Sequence, residues 1–406
     1  MRHRWKWISA LLIAAVVGLG LWLRQRPSRP AVPGPVAAAP TPASASLDPL
    51  WPAGISTAAP KTPKKDDHVD QIEVCGVGKV AVDRDDLAAY GKYFVAMTKN
   101  ARLHWFATLR HSEDYRARAS GLYLDGILDR DSPQKDAETA RDELVQLAVS
   151  TKDPAIFALA YTKCIKGGEE LASQDVCPQL NLDDWTRADA DNAVPWLHLA
   201  AKAHREGDGT GEAAAMAHAG QAHQYETYNW SVFPFAQAAM PKDVTPTDQW
   251  ILTTQVIGVE AAMPAPYQSL FQYCSRDAQG DVAVRRQCSA VAELMVGNAT
   301  TLLDLSVGKS LGARVGWPAE RVDKLTQEVN ASMWAVNEMT GMDPKQQWSC
   351  DSVARGNAYM SQLRELGERG LARQAIEDSG ETVAELSRKF DEWLAAARRE
   401  AAAARP

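Results

Sequence analysis

Apolar residues recur at three- and four-residue spacings through nearly all of residues 65–406, and that period leaves the chain little to form but helices. In "RDDLAAYGKYFVAMTKNARLHWFATLR", Leu87, Tyr90, Phe94, Met97, Leu103, Phe106 and Leu109 fall mostly on one broad stripe. Similar stripes follow in "EDYRARASGLYLDGIL", "DPAIFALAYTKCI", "AVPWLHLAAKAHREG" and "VAVRRQCSAVAELMV", ending with "GETVAELSRKFDEWLAAARREAAAA". Short breaks containing Asp or Pro separate them, as helix starts require. Only "QIEVCGVGKVAVD" alternates, which predicts one short strand or an extended arm. The expected fold is all-α, with a possible division into two subdomains near 240–265.

One stretch resembles a known repeat. "NAVPWLHLAAKAHREGDGTGEAAAMAHAGQA" carries Trp196, Leu199, Ala200, Ala203, Gly207, Met216 and Ala219 at the spacings of a tetratricopeptide unit. The likeness spans residues 193–226 and has no clean second copy. It implies a degenerate helical-hairpin array, an α-solenoid in which each hairpin packs against its neighbours.

The N-terminus is of another kind. Trp7 to Leu23 contains no charged residue and meets the short end of the roughly 17 to 25 apolar residues that span a bilayer. Arg2, Arg4 and Lys6 precede it, and no small-x-small cleavage site ends it, since Leu21, Trp22 and Leu23 run into Arg24. Residues 1–26 are therefore read as an uncleaved signal anchor, embedded in the lipid bilayer with a cytoplasmic N-terminus. Residues 27–64 are rich in Pro, Ala and Ser, a composition that buries no core and extends by about 3 Å per residue. They read as a tether that holds residues 65–406 in the periplasm, outside a bacterial inner membrane.

Charge narrows the partners. The chain has 44 Lys and Arg against 51 Asp and Glu; residues 1–64 hold 8 and 1 of these, leaving 36 against 50 in residues 65–406. So acidic a domain argues against nucleic acid and anionic headgroups, which need basic patches.

Six cysteines are present, an even number, and none forms C-x-x-C. Cys164 with Cys177 and Cys274 with Cys288 each flank a polar, Gly-containing turn between helical segments, where a disulfide would clasp a hairpin's mouth. Cys75 and Cys350 remain for a third bridge by elimination.

No nucleophile elbow, phosphate loop or zincin motif occurs. "GVGKVA" at 76–81 formally fits G-x-G-x-x-A, yet no helix starts inside it. His198, His204, His218 and His223, with Glu226 nearby, lack the one-turn spacing of helix-borne metal ligands. No metal or cofactor is expected. Asp183/Asp184 and Asp189/Asp191 look like turn and cap residues. The aromatics are more suggestive: Trp196, Tyr225, Tyr228, Trp230 and Phe233, with His204, are the candidates for a binding surface, since such side chains dominate binding hot spots. The expected function is a non-enzymatic interaction scaffold for another envelope protein. The alternative is a glycan- or peptide-directed hydrolase using dispersed carboxylates or histidines.

Overall fold

The computed structural model describes residues 69–83, 93, 96–128, 134–166, 169–170, 176–228, 230–261, 263, 266–275, 280–340 and 348–403. The apolar segment from Trp7 to Leu23 and the proline-rich stretch lie outside them. Among the described residues, no helix is long and apolar enough to cross a membrane. Contacts divide the chain into two units, Met1–Asp70 with Asp83–Asp85 and Gln71–Val82 with Asp86–Pro406, and all the described helices belong to the second.

The described chain is predominantly helical, as the period predicts. Strands β1 (Val69–Val74) and β2 (Gly78–Asp83) come first. Helices α1 (Lys99–Arg110), α2 (Tyr115–Leu124), α3 (Gln134–Thr151) and α4 (Pro154–Lys163) follow, then the two-residue strands β3 (Ile165–Lys166) and β4 (Glu169–Glu170). Helices α5 (Leu182–Ala188), α6 (Ala193–Glu206), α7 (Gly209–Ala219), α8 (Val232–Ala238), α9 (Pro246–Glu260) and α10 (Tyr267–Tyr273) form the middle. The last are α11 (Val282–Asn298), α12 (Leu302–Arg314), α13 (Ala319–Thr340), α14 (Cys350–Ser379) and α15 (Val383–Ala403).

The Asp and Pro breaks do start helices. Asp114, Asp153 and Asp281 accept hydrogen bonds from the first-turn amides of α2, α4 and α11, at 2.8 Å from Arg116 N, 2.9 Å from Ala155 N and 2.7 Å from Ala283 N. Pro154 and Pro246 occupy first-turn positions, where a missing N–H is harmless. Most helices pack on their sequence neighbours: α1 on α2, α3 on α4, α6 on α7, α11 on α12, α12 on α13 and α13 on α14. Longer-range packing of α2 on α8, α7 on α11, α6 on α10 and α9 on α14 ties these local pairs together.

Where α11 and α12 cross, Gly308 removes a side chain from the interface. A Cβ there would stand 2.8 Å from Met295 Cβ and 3.2 Å from Val296 N. Gly308→Ala is therefore expected to lower stability by about 1 to 3 kcal/mol through overpacking, read as an earlier urea midpoint. An unchanged midpoint would show that the helices separate freely.

The alternating stretch is a strand pair, where a single strand or an arm was the expectation. Gly76 and Gly78 take φ of 79° and 96°, a left-handed backbone open to glycine, and Val77 N donates to Val74 O at 3.0 Å, turning the chain back on itself. "GVGKVA" thus leads from a hairpin turn into β2 and opens no helix. Ile72 and Val74 pack with Ile251, flanked by Trp250 and Trp348.

All six cysteines are bridged: Cys164 to Cys177, Cys274 to Cys288 and Cys75 to Cys350, at sequence separations of 13, 14 and 275. The first joins the end of α4 to the 3-10 turn before α5. Phe157, Tyr161, Trp185 and His198 form an aromatic group on these neighbouring helices, with Trp185 and His198 stacked at 5.5 Å. Burial holds His198 neutral, its pKa lowered to about 4.

Candidate functional site

The structure separates the six binding-surface candidates. Tyr225 and Phe233 are 3% and 1% exposed and belong to the core, which corrects the expectation that they present a surface. Burying the aromatic area of Tyr225 in the α7–α8 connection and of Phe233 in α8 is favoured over leaving it in water. Trp196, Tyr228 and Trp230 are half-buried and His204 is exposed. Trp196 stacks on His218 at 4.3 Å, and its Nε1–H donates to Ala190 O at 3.0 Å.

The histidines do not converge. His204 Nδ1 lies 3.0 Å from Glu212, His223 Nδ1 lies 2.6 Å from Asp191, and His198 sits among aromatics. Among the described residues, no group of three or more His, Cys, Asp or Glu side chains is arranged to hold a metal ion.

What residues 224–228 do build is a polar hub. The chain enters it by pairing with the start of α6: Ala193 N donates to Gln224 O at 2.9 Å, and Gln224 N to Asp191 O at 3.0 Å. Asn192, the N-cap of α6, is the clamp. Its Oδ1 accepts from Glu226 N at 3.0 Å, and its Nδ2 donates to Glu226 O at 2.9 Å and Asp189 Oδ2 at 2.8 Å. Tyr228, held at φ 58°, donates its hydroxyl to Asp189 Oδ2 at 2.8 Å and its amide to Glu226 Oε1 at 2.9 Å. A positive φ on a bulky residue is strained, and these bonds hold it there.

The other half of the hub is Asp304. Thr301 caps the start of α12: its hydroxyl accepts from Asp304 N at 2.9 Å and donates to Asp304 Oδ2 at 2.6 Å. The Tyr267 hydroxyl donates to Asp304 Oδ1 at 2.5 Å. The buried Tyr225 hydroxyl faces Asp304 and Tyr267 without a hydrogen bond of good geometry. Glu368 Oε2 accepts from Leu302 N at 2.8 Å, adding a second cap to α12. It can reach because α14 breaks at Gly367 (φ 67°), where Arg369 N donates to Thr300 O at 3.0 Å. Glu260 plays the same part elsewhere: Ser231 supplies no side-chain cap to α8, and Glu260 Oε1 accepts from Phe233 N at 2.8 Å instead.

Burial raises the carboxyl pKa values of Glu226, Glu260, Asp304 and Glu368. Proximity of Asp304 adds to the shifts of Glu226 and Glu368, and Asp189 adds to that of Glu226. Burial thus disfavours the ionised forms, while most of the hub's oxygens are committed to backbone amides and side-chain hydroxyls. Chemistry on an outside molecule would first have to break those bonds.

The sequence marks Asp189 as a turn residue and Glu226 as a neighbour of the histidines, but does not single out Tyr267, Asp304 or Glu368. Thr301-x-x-Asp304 is a readable capping signal. Tyr267 and Glu368 join it from 34 residues before Thr301 and 66 residues after Leu302, and no local pattern marks such partners. Comparison with protein families, curated sequences and solved structures gives no match, so the tetratricopeptide likeness rests on the spacing of residues 193–226 alone.

Proposed function

We propose that this chain is a bacterial inner-membrane protein, anchored by its N-terminal apolar segment, whose helical-hairpin domain stands in the periplasm as a scaffold for another envelope protein. The observation that carries the reading is the cysteine inventory: all six thiols are spent in three bridges, the usage expected of an oxidising compartment. Neighbour-on-neighbour helix pairs support a repeat-like binding surface, with Trp196 and His218 as a partly open aromatic feature on one hairpin. A hydrolase needs acids or histidines converging on an open cavity. Here the perturbed carboxyls cap helices and bind tyrosines inside the core.

Rapid alkylation of intact cells, followed by denaturation and thiol counting, tests the compartment. No free thiol before reduction is the expected result; six would place the domain on the reducing side of the membrane and overturn the reading. In-cell crosslinking is expected to yield one reproducible envelope partner.

A further inference from the structure

A cleft opens at one end of the bundle formed by α13, α14 and α15, away from the hub. Its volume is about 420 Å³. Ala335, Ala375 and Leu386 are buried and make its floor, and the two alanines leave the space a larger side chain would fill. Trp334 and Met339 line its side. Met339 is 42% exposed, and Val383, one turn before Leu386 on the same helix, is 38% exposed. Large apolar side chains left open beside an apolar floor are what a docking site displays, and a flexible methionine adapts to whatever enters.

The charged residues that line this floor are all acidic. Glu338, Asp378 and Glu381 line the cleft, and no Lys or Arg does. Lys389 is spent on Glu381, whose two oxygens each lie 2.6 Å from its Nζ. An acidic rim on a domain with 50 acidic against 36 basic residues repels a second copy of itself and attracts a basic partner. The volume admits one or two bulky side chains from a helix laid across the helix ends, with its apolar anchors down and its cations against the rim.

We propose that this cleft receives a basic amphipathic helix of the partner protein. The proposal rests on the scaffold reading and names the chemistry of its partner.

The test uses the full-length chain in zwitterionic lipid nanodiscs, with empty nanodiscs as the blank. The probe is a fluorescein-labelled 16-residue Lys/Leu amphipathic helix, with a Glu/Leu counterpart of reversed charge. Fluorescence anisotropy is expected to show binding of the Lys/Leu peptide above the blank and none of the Glu/Leu peptide. The exposed rim double variant Glu338→Lys/Asp378→Lys, which leaves the floor intact, is expected to weaken that binding about ten-fold. Absence of Lys/Leu binding above the blank overturns the proposal, as does equal affinity of the double variant. The same variant enters the in-cell crosslinking. A partner adduct formed at undiminished yield by the double variant overturns the cleft and leaves the scaffold standing. No adduct with the wild-type chain overturns both.

Discussion

Replacing both Cys75 and Cys350 with serine is expected to lower the unfolding free energy by about 5 to 6 kcal/mol, against about 3 kcal/mol for the Cys164/Cys177 pair. The reason lies in loop length. The two bridges close separations of 275 and 13 residues, and the entropy removed from the unfolded chain grows with the logarithm of that number. The long bridge also fixes the β1–β2 hairpin to the start of α14, reinforced by Cys75 N donating to Trp348 O at 2.8 Å and the Thr247 hydroxyl donating to Cys75 O at 2.7 Å. Without it, the hairpin depends on those bonds and on Ile72 and Val74 packing with Ile251. Urea unfolding of the full-length chain, with both double variants side by side, gives the comparison. A larger loss for the Cys164/Cys177 pair would show that local strain relief or packing, and not loop entropy, sets the worth of these clasps.

Asp304→Ala should be the most damaging single substitution in the hub, lowering stability by about 3 to 4 kcal/mol. It strips the Tyr267 and Thr301 hydroxyls of their acceptor. Asp304→Asn keeps one carbonyl acceptor but no longer titrates, and this separates structure from charge. The folded state raises the pKa values of Glu226, Asp304 and Glu368 above those of the unfolded chain, near 4 to 4.5. Between the unfolded and the raised values the folded state binds more protons, so stability falls as pH rises through that window. Below the unfolded values the effect is flat. The hub is thus expected to stabilise the wild type as pH falls toward the unfolded values near 4 to 4.5, the opposite of ordinary acid unfolding. In Asp304→Asn that gain should shrink, because one titrating carboxyl is gone and its repulsion of Glu226 and Glu368 goes with it. A thermal midpoint that falls steadily over this range in the wild type would show that the hub carboxyls are ionised and paired in the folded state.

Much of the fold is legible in the sequence. The three- and four-residue period around Leu103, Phe106 and Leu109 marks α1, and Asp153-Pro154 marks the start of α4, because both signals act within one or two helical turns. The cysteine pairs 164/177 and 274/288 were readable for the same reason: a short chain segment can meet only nearby groups. β1 and β2 were half seen, since alternation shows through Ile72 and Val74 while the turn depends on two glycines at positive φ.

Local sequence thus determined that the chain is helical, where its helices start and which thiols are near neighbours. Tertiary structure alone decided that Tyr225 and Phe233 go inside while Trp196 remains half open, since Tyr225 lies in an irregular connection and an aromatic side chain fits either side of the helices that carry Trp196 and Phe233. It also decided that Glu368 reaches Leu302 across a break at Gly367, and that Ala335 and Ala375 leave room beneath Trp334. Burial and capping across tens of residues depend on which surfaces meet, and that is settled by the summed packing of the whole domain.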